Sequence, residues 1–488
     1  MRANPHVLEI NAHAWFKRIK KEFGPQVKTL ADVPQSVLLK IKELGFDAVW
    51  LMGVWQESMA SRQIAREDAG INQAIKQVVT DYSKEDIIGS QYSIYGYEVN
   101  EVFGGESALL TFKENLNNLD INLFLDFAAN HLAKDHPQTL LHPEYFVRSQ
   151  SDPQDKNLFF QTKNGEWLAH GRDPHFPPWS DTVQINHFNP AARQFLLSEL
   201  LKVAKMCDGL RCDMVMLMMK KVFRETWGKY ITESSPEEEF WPLAINKVRS
   251  EHPGFIFGAE VYWGLEWEVQ EMGFDYTYDK ILYDRLLLSN AQDIAGHLNA
   301  EHLYQKRSIR FISNHDEESP ITAFGPEKSK AAAVVVSTIT GSRLYTLSQI
   351  FGEKRRLPIQ YVPNSCDIDP AVLAFYKKLF AITNHPCFHG GQWALKTPRP
   401  ASDNDDTYKN FLAWSWTQQN TCKAVVINYS GARSRCFVPI SKSPAGDTLT
   451  VREEFSQTTT TAPTAETKSK GFYLELAPYE AKILSLDF

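Results

Sequence analysis

The residue pair most suited to catalysis in this sequence is an arginine and an aspartate two positions apart. They lie in the short apolar run Gly209-Leu210-Arg211-Cys212-Asp213, which is typical of a strand. Side chains alternate between the two faces of a strand, so Arg211 and Asp213 share one face. A neighbouring cation keeps a carboxylate ionised, and an ionised carboxylate held at the end of a buried strand can act as a nucleophile. The alternative is a structural ion pair at the rim of a barrel.

Three further apolar runs end in acids in the same way. The first run ends at Asp126, which Asn130 and His131 follow, and the second ends at Glu260. The third leads to Asp316, which directly follows Asn314 and His315. Catalytic residues of a (β/α)8 barrel come from the carboxyl ends of several different strands. Four strands that each deliver a carboxylate therefore predict a single site at one end of such a barrel.

Taken together, these four motifs resemble those of the α-amylase family, glycoside hydrolase family 13. The resemblance covers roughly residues 6–390 and extends weakly into the rest of the chain. It implies a retaining glycoside hydrolase in which Asp213 is the nucleophile, stabilised by Arg211, and Glu260 is the acid/base. Asp316 would hold the 2- and 3-hydroxyls of the sugar being cleaved. The apolar run before Glu260 should raise the pKa of its carboxyl, so that it can donate a proton near neutral pH.

The resemblance also implies residues that bind the substrate. Tyr92 stands where the family stacks an aromatic ring on the sugar in the cleavage subsite. His131 and His315 are expected to offer neutral donors to sugar hydroxyls. Just after the acid, Tyr262 and Trp263 are expected to be stacking platforms for the acceptor sugar, because aromatic faces suit the apolar faces of pyranose rings.

The sequence departs from the family just past the nucleophile. Many members carry a lysine or histidine three or four residues beyond it, in contact with the acceptor sugars, and this chain has Met216 and Leu217 there. The departure predicts an apolar acceptor side. The expected activity is hydrolysis of α-glucosidic bonds in maltooligosaccharides or related α-glucans, and the alternative is transglycosylation, in which a sugar replaces water at the glycosyl–Asp213 ester. A non-catalytic carbohydrate-binding barrel is a third hypothesis, against which the presence of all three acids argues.

No cofactor is required by this chemistry, and no catalytic metal is expected. The family often binds a structural calcium ion between the inserted segment and the residue at Asn130. The aspartate expected near residues 184–186 is replaced here by Gln184-Ile185-Asn186. This replacement disfavours a tight calcium site.

An alternation of strand and helix patterns must position these acids. Apolar strand-like runs begin near residues 7, 48, 121, 209, 255, 273, 309 and 340, and helical patterns such as Val37, Leu38, Ile41 and Leu44 separate them. The alternation predicts an α/β protein built on a (β/α)8 TIM barrel. The barrel should occupy residues 1–131 and 188–390, with an inserted subdomain at 132–187 after strand three. Short alternating strands at 391–488 predict a C-terminal antiparallel β-sandwich domain.

The composition of the chain limits the classes of partner that are expected. A length of 488 residues suits a large barrel with appendages, and 43% hydrophobic residues can fill its core. A net charge of −7 with mixed signs argues against a nucleic-acid partner. No run of about 18 apolar residues occurs, so no membrane segment is predicted, and the polar start predicts a cytoplasmic protein. The oligomeric state stays open, and Cys422 and Cys436, in neighbouring predicted strands, could pair.

Overall fold

The barrel predicted from the sequence is present. The computed structural model describes residues 1–79, 82–439 and 447–487. The eight barrel strands are β1 His6–Asn11, β2 Ala48–Met52, β3 Asn122–Ala128, β4 Gly209–Asp213, β5 Ile256–Ala259, β6 Tyr276–Tyr278, β7 Ser308–Arg310 and β8 Ser342–Thr346. Each strand pairs in parallel with the next one along the chain, and β8 pairs with β1. The (β/α)8 fold is therefore confirmed.

Helices connect the strands and cover the barrel. The longer ones are α1 Ala12–Phe23, Gly105–Asn117, Pro190–Ala204, Phe240–Glu251, Pro326–Thr338 and Pro370–Thr383. The shorter ones are Gln35–Glu43, Met59–Glu67, Ala69–Lys76, Gln138–Leu141, Lys220–Trp227, Glu266–Glu271, Lys280–Leu288, Ala291–Leu298, His302–Lys306, Pro320–Phe324, Leu347–Phe351, Cys387–Gly390 and Thr464–Lys470. The helix before β4 begins at a typical capping pair: Asn189 accepts hydrogen bonds from two first-turn amides and Pro190 occupies the first position.

Strand β4 carries two charged residues into the mouth of the barrel. All five of its residues are buried, and its register places Arg211 beside Asp126 of β3 and Gly258 of β5. Parallel strands covered on both faces are almost entirely apolar. Arg211 and Asp213 therefore need polar partners within the barrel, because an unpaired buried charge is costly.

Between β3 and β4 the chain leaves the barrel. His131–Ala133 pairs antiparallel with Thr182–Gln184, and a small sheet joins Arg148–Ser149, Trp167–Ala169 and Phe159–Gln161. Apolar residues of this sheet pack against Phe223 and Trp227, which lie on the helix Lys220–Trp227 after β4. The inserted segment is thus anchored beside the loop that leaves β4.

The chain ends in an antiparallel domain, as predicted. A six-stranded sheet has the order Gln392–Lys396, Phe411–Gln418, Thr421–Asn428, Ala481–Asp487, Thr448–Glu453 and Thr459–Pro463. A two-stranded sheet of Ser434–Val438 and Phe472–Leu476 shares one buried apolar cluster with it, so the two form a sandwich. Trp416 and Tyr429 tie this domain to the barrel by donating to the carbonyls of Thr338, at 2.6 Å, and Leu286, at 2.7 Å.

Two further findings concern expectations from composition. Cys436 is a free thiol, so the disulfide with Cys422 that the sequence allowed does not form. Among the described residues no helix combines the length and the apolar character that crossing a bilayer requires.

Candidate active site

The guanidinium of Arg211 joins two of the acids that the sequence predicts to be catalytic. Its Nη1 donates to Asp213 Oδ1 at 2.7 Å, and its Nη2 donates to Glu260 Oε2 at 2.7 Å. The three side chains are at most 7% exposed. Two carboxyl groups, one from β4 and one from just beyond β5, thus meet at one cation. Charge-assisted hydrogen bonds of this kind fix the geometry of both partners.

Burial sets the protonation of Glu260. Desolvation raises the pKa of its carboxyl to about 7, while Arg211 opposes the rise and Asp213 adds to it. The hydroxyl of Tyr262 donates to Oε1 at 2.7 Å, and the backbone N–H of Met214 donates to Oε2 at 2.9 Å. A carboxyl that is half protonated near neutral pH can both give and take a proton.

The backbone just past β4 adopts a left-handed conformation. Met214 has φ 41° and ψ 48°, which is strained for a residue with a Cβ. The turn directs the N–H of Met214 toward Glu260 and begins the 3₁₀ segment Val215–Met218. Backbone strain is therefore located at the contact between the strand that carries Asp213 and the acid.

Asp126 is a third carboxyl at the same cation. Its Oδ1 lies 3.5 Å from Arg211 Nη1, and its Oδ2 accepts a hydrogen bond from Trp50 Nε1 at 3.0 Å. Desolvation raises the pKa of Asp126 to about 7, against the charge of Arg211. Asp126 is as buried as Asp213 and Glu260, and its register beside Arg211 places it two residues deeper along the barrel strands than Asp213.

His315 faces a carboxylate at each ring nitrogen. Its Nδ1 lies 2.8 Å from Glu9 Oε1 and its Nε2 lies 3.1 Å from Asp316 Oδ2. The Tyr92 ring stacks on the imidazole with 5.2 Å between ring centroids. Burial alone would lower the pKa of His315, but Asp316 and Glu9 outweigh it and hold that pKa well above its usual value. The prediction of a neutral His315 is therefore wrong, because two carboxylates keep the ring positively charged.

Asp316 stands at the open edge of the site. Its side chain is 51% exposed, in contrast to the buried Asp213 and Glu260. Partial desolvation would raise the pKa of Asp316, but the cationic His315 beside it outweighs this and lowers the pKa below its usual value. The side chain of Asn314 accepts from the N–H of Asp316 at 2.9 Å and fixes the turn. Asp316 is thus an ionised acceptor within reach of a ligand.

Burial favours the neutral form of His131. It is 3% exposed, and desolvation lowers the pKa of its imidazole to about 4. Its ring lies 4.9 Å from that of Trp179, which belongs to the inserted segment. His131 therefore sits where β3 and the inserted segment meet.

The acceptor side differs from the sequence prediction. Met216 and Leu217 are 0% and 4% exposed and pack in the core, so they do not form the apolar acceptor surface predicted for them. Trp263 is 40% exposed, and its ring meets the edge of His175 at a centroid distance of 5.1 Å. The exposed aromatic surface past the acid therefore comes from Trp263. Tyr262 is only partly exposed and is engaged with Glu260.

The contacts of Asn130 show whether this place could hold calcium. The side-chain amide of Gln184 donates to both the backbone carbonyl and Oδ1 of Asn130, at 3.0 Å each. Calcium binds through oxygen ligands, and here an N–H group uses these two oxygens. In the part of the chain that the structure describes, no three His, Cys, Asp or Glu side chains are grouped to hold a metal ion. The residues therefore do not fit the calcium site of the family.

Three residues of the site were not found from the sequence. Glu9 contacts His315, Trp50 donates to Asp126, and Arg356 donates to the backbone carbonyl of His315 at 3.2 Å. Glu9 is a carboxylate in the apolar strand β1 and is 3% exposed. A buried charge requires a partner, so a glutamate within an apolar strand is the sequence signal that could have identified Glu9 as a site residue. Nothing local in the sequence marks Trp50 or Arg356.

A closed (β/α)8 barrel that brings one acid from β4 and one from just beyond β5 onto a single arginine has the pair of carboxyl groups that glycoside hydrolysis uses. Residues 35–346 match the family model described as the alpha-amylase catalytic domain. The chain belongs to the α-amylase family of glycoside hydrolases.

Relatives and solved structures agree with this assignment. The chain is 22% identical over 409 residues to the α-amylase MalA of Haloarcula japonica, a match that covers 82% of this chain and 52% of that protein. The chain thus spans about half the length of this curated relative. The fold is similar to that of a maltogenic α-amylase, AmyB, from Thermotoga neapolitana, with a TM-score of 0.69, 17% identity and 99% of each chain covered.

Two more solved structures have the same fold. One is an α-amylase from Geobacillus thermoleovorans complexed with acarbose, with a TM-score of 0.66, 16% identity and coverage of 99% of this chain and 98% of that one. The other is the trehalose-6-phosphate hydrolase of Bacillus licheniformis, with a TM-score of 0.66, 14% identity and coverage of 100% and 99%. At these identities the likeness shows the fold that the chains share.

Proposed function

We propose that this enzyme hydrolyses α-glucosidic bonds of maltooligosaccharides or related α-glucans with retention of configuration at the anomeric carbon. The observation that carries the proposal is the Arg211 bridge, in which one guanidinium holds Asp213 and Glu260 side by side. A retaining enzyme needs its two carboxyl groups about 5 Å apart, whereas an inverting enzyme leaves room for a water between them. Two carboxyl groups on one guanidinium favour the shorter separation.

In the proposed reaction the Asp213 carboxylate attacks the anomeric carbon while Glu260 gives its proton to the departing glycosidic oxygen. The bond to the leaving sugar breaks as an ester forms between the retained sugar and Asp213. A water then loses a proton to Glu260, and its oxygen attacks the anomeric carbon, which breaks the ester and restores both carboxyl groups. The pKa of Glu260, raised to about 7, supports proton transfer in both directions.

The proposed substrate class rests on the relatives and on the groups at the edge of the site. The relatives are named α-amylase and maltogenic α-amylase, and one was solved with acarbose. Asp316 is proposed to accept hydrogen bonds from the 2- and 3-hydroxyls of the sugar being cleaved. Tyr92 would stack on that sugar, with His131 as a neutral donor and His315 as a charged one.

Transfer of the glycosyl group to a second sugar is the alternative reaction. The exposed ring of Trp263 offers a stacking face on the acceptor side. Water and sugar compete for the same ester of Asp213. We therefore propose that hydrolysis dominates in dilute substrate and that transfer becomes measurable when the substrate is concentrated.

The reaction is also proposed to need no cofactor. The hydrogen bonds from Gln184 to Asn130 support this, because they use the oxygens that would bind calcium. A cytoplasmic location remains part of the proposal, and the free thiol of Cys436 supports it because cytosolic proteins keep their thiols reduced.

Proton NMR of the first-formed products tests the proposal. With a short maltooligosaccharide, α-anomer signals should appear first, and β-anomer signals should follow only through mutarotation. An initial excess of the β-anomer would contradict retention. Binding of glucan without any release of reducing sugar would favour the non-catalytic carbohydrate-binding barrel.

A further inference from the structure

The two-stranded sheet of the C-terminal domain has an exposed aromatic face. Its strands pair antiparallel, with Phe437 directly opposite Tyr473. The neighbouring residues Cys436 and Leu474 point inward and belong to the buried cluster that this sheet shares with the six-stranded one. Because side chains alternate along a strand, Phe437 and Tyr473 point to the outer side, where Tyr473 is 45% exposed.

The two rings leave aromatic surface open. Their centroids lie 5.5 Å apart and their planes meet at 63°, which is an edge-to-face arrangement. In such a pair, the ring that contributes its edge keeps both of its own faces clear of its partner. On the other side of Phe437, Arg399 pairs with it through two backbone hydrogen bonds, of 2.8 and 2.9 Å. Residues directly opposite each other share a face, so Arg399 flanks the two rings.

The next pair along the two strands places polar groups beside the rings. Arg435 lies opposite Glu475, and their side chains are 48% and 43% exposed. Arg435 Nε donates to Asp405 Oδ2 at 2.5 Å, and the hydroxyl of Tyr473 donates to Glu475 Oε2 at 3.3 Å. Arg433 Nη1 donates to Glu475 Oε1, also at 3.3 Å. These contacts hold the guanidinium and the carboxylate in fixed positions, and pre-organised groups bind a ligand at a lower entropic cost.

Two rings and three charged side chains thus form one surface, which we call the platform and which consists of Phe437, Tyr473, Arg399, Arg435 and Glu475. Its charges favour a neutral ligand. The cation of Arg435 is neutralised by Asp405, and the carboxylate of Glu475 is neutralised by Arg433. A site for an anion would carry a larger excess of positive charge. Sugar hydroxyls can both donate to a carboxylate and accept from a guanidinium, and the apolar faces of pyranose rings suit aromatic rings.

The size of the platform argues against a protein partner. It extends over two cross-strand pairs and the flanking Arg399. Strands lie about 5 Å apart and alternate residues along a strand about 7 Å apart. The platform therefore measures roughly 10 by 15 Å, far less than the area of about 800 Å² that each partner contributes to a stable interface. A surface of this size suits one or two sugar rings.

We propose that the platform is a second, non-catalytic binding site for α-glucan, which holds one or two sugar units of a long chain. The acids of the active site belong to the barrel, whereas every platform residue belongs to the C-terminal domain. The two sites therefore bind different stretches of the polymer. The proposal rests on the α-glucan substrate proposed above and adds a second place where the same polymer binds.

Adsorption to starch granules tests the platform without any turnover. The measurement uses the Asp213→Asn variant, so that the granules are not digested. Adding Tyr473→Ala should weaken adsorption at least about tenfold, because it removes an exposed stacking face. Tyr473→Phe keeps the ring and is the matched control, which should retain most of the adsorption. Arg399→Ala, at the exposed edge, should also weaken adsorption and serves as a second variant should Tyr473→Ala fail to fold.

Two outcomes of the adsorption experiment would overturn the platform. One is equal adsorption of the folded Tyr473→Ala and Tyr473→Phe variants, and the other is no adsorption of Asp213→Asn itself. Sedimentation velocity adds a third. A dimer of the wild type that Tyr473→Ala converts to a monomer would assign this surface to a second copy of the chain.

Kinetics separates the platform from the hydrolase function. The ratio of kcat/KM for soluble starch to kcat/KM for maltotriose should fall about fivefold or more in Tyr473→Ala, because only a long chain reaches both sites. This ratio should keep its wild-type value in Tyr473→Phe. A ratio that is unchanged in Tyr473→Ala would overturn the platform and leave the hydrolase function standing. If the wild type cleaves neither substrate, the hydrolase function fails, and adsorption alone decides whether the platform binds glucan.

Discussion

Glu9 Oε1 accepts two hydrogen bonds from His315, one from ring Nδ1 at 2.8 Å and one from the backbone N–H at 3.0 Å. The two residues are 306 positions apart in the chain, on β1 and just beyond β7. Because β8 stands between these strands, the contact spans it and fixes the ring plane of His315. The other ring nitrogen then faces Asp316.

Glu9→Gln should lower kcat/KM more at about pH 8 than at about pH 6. Asp316 and Glu9 together raise the pKa of His315, so with Glu9 neutral the imidazole loses its proton at a lower pH. The imidazolium of His315 is present below the pKa of His315 and lost above it. The loss of kcat/KM in the variant relative to the wild type therefore grows as pH rises. Arg356 and Asp126, the other charged groups facing His315, are unchanged in this variant. Steady-state kinetics across pH measures the effect.

Thermal unfolding gives the Glu9→Gln variant a second readout. The raised pKa of His315 stabilises the wild type fully below the unfolded value of about 6.5, and this contribution is lost as pH rises through the folded pKa. The variant should lose about 2 kcal/mol of stability, typical of a charged hydrogen bond. A deficit in kcat/KM that is the same at every pH would assign Glu9 a packing role only.

Asp213→Asn should keep the fold and lower kcat by on the order of 10³-fold or more. Asparagine preserves the shape and an acceptor for Arg211 but cannot form the glycosyl ester. Asp126→Asn is the matched control, because Asp126 approaches the same guanidinium from inside the barrel. Kinetics on the best α-glucoside, with circular dichroism for the fold, measures both. Similar losses in the two variants would refute the nucleophile assignment.

Glu260→Gln should impair natural oligosaccharides far more than aryl glycosides that carry good leaving groups. A stable aryloxide departs without protonation, so its first step survives loss of the acid. In the wild type, activity should fall as pH rises through about 7, where Glu260 loses its proton, and this limb should vanish in the variant. Equal damage to both substrate types would indicate a structural role.

Trp263→Ala should reduce the proportion of transfer products at high substrate concentration and leave hydrolysis of dilute substrate nearly unchanged. Trp263, 40% exposed, is the proposed stacking face next to Glu260, whereas Trp267 is 42% exposed and lies on the helix beyond. Trp267→Ala is therefore the control for loss of a surface tryptophan. Chromatography of products over a range of concentrations gives the ratio. An unchanged ratio in the Trp263 variant would refute its acceptor role.

Removal of divalent metal by a chelator should leave Tm unchanged, because Gln184 already binds both oxygens of Asn130. Gln184→Asp replaces that N–H donor by a carboxylate. In this variant, calcium should raise Tm. If calcium raised the Tm of the wild type, the oxygens of Asn130 would be free to bind it, and the prediction would be wrong.

The barrel and its acids were predictable because each depends on a local pattern. Buried parallel strands read as short apolar runs, and the acid at the end of each run is adjacent in sequence. Strand ends were harder to predict, since the apolar run that begins at residue 48 continues in the sequence to Trp55, whereas the strand ends at Met52. Gly53, with φ 83°, turns the chain there, and Trp55–Glu57 pairs outside the barrel.

The charge of His315 and the place of Met216 depended on contacts that no local pattern encodes. The partner that charges His315 together with Asp316 is Glu9, which lies at the other end of the barrel sequence. The sequence shows only that Met216 is apolar at a position where the family contacts the acceptor sugar. In the structure the left-handed turn at Met214 precedes a short helical segment whose side chains are buried. Both differences between prediction and structure arise from three-dimensional features of the site, a contact between distant residues and a turn of the backbone.

Arg211 forms ion pairs with three carboxyl groups but carries a single positive charge. In the proposed reaction, ester formation removes the negative charge of Asp213, and with it the repulsion that helps to raise the pKa of Glu260. Arg211 then has fewer anions to neutralise, so the pKa of Glu260 falls while the sugar is attached. The residue that gave up a proton in the first half of the cycle is thereby converted into a base for the second half, and breaking the ester restores it as an acid.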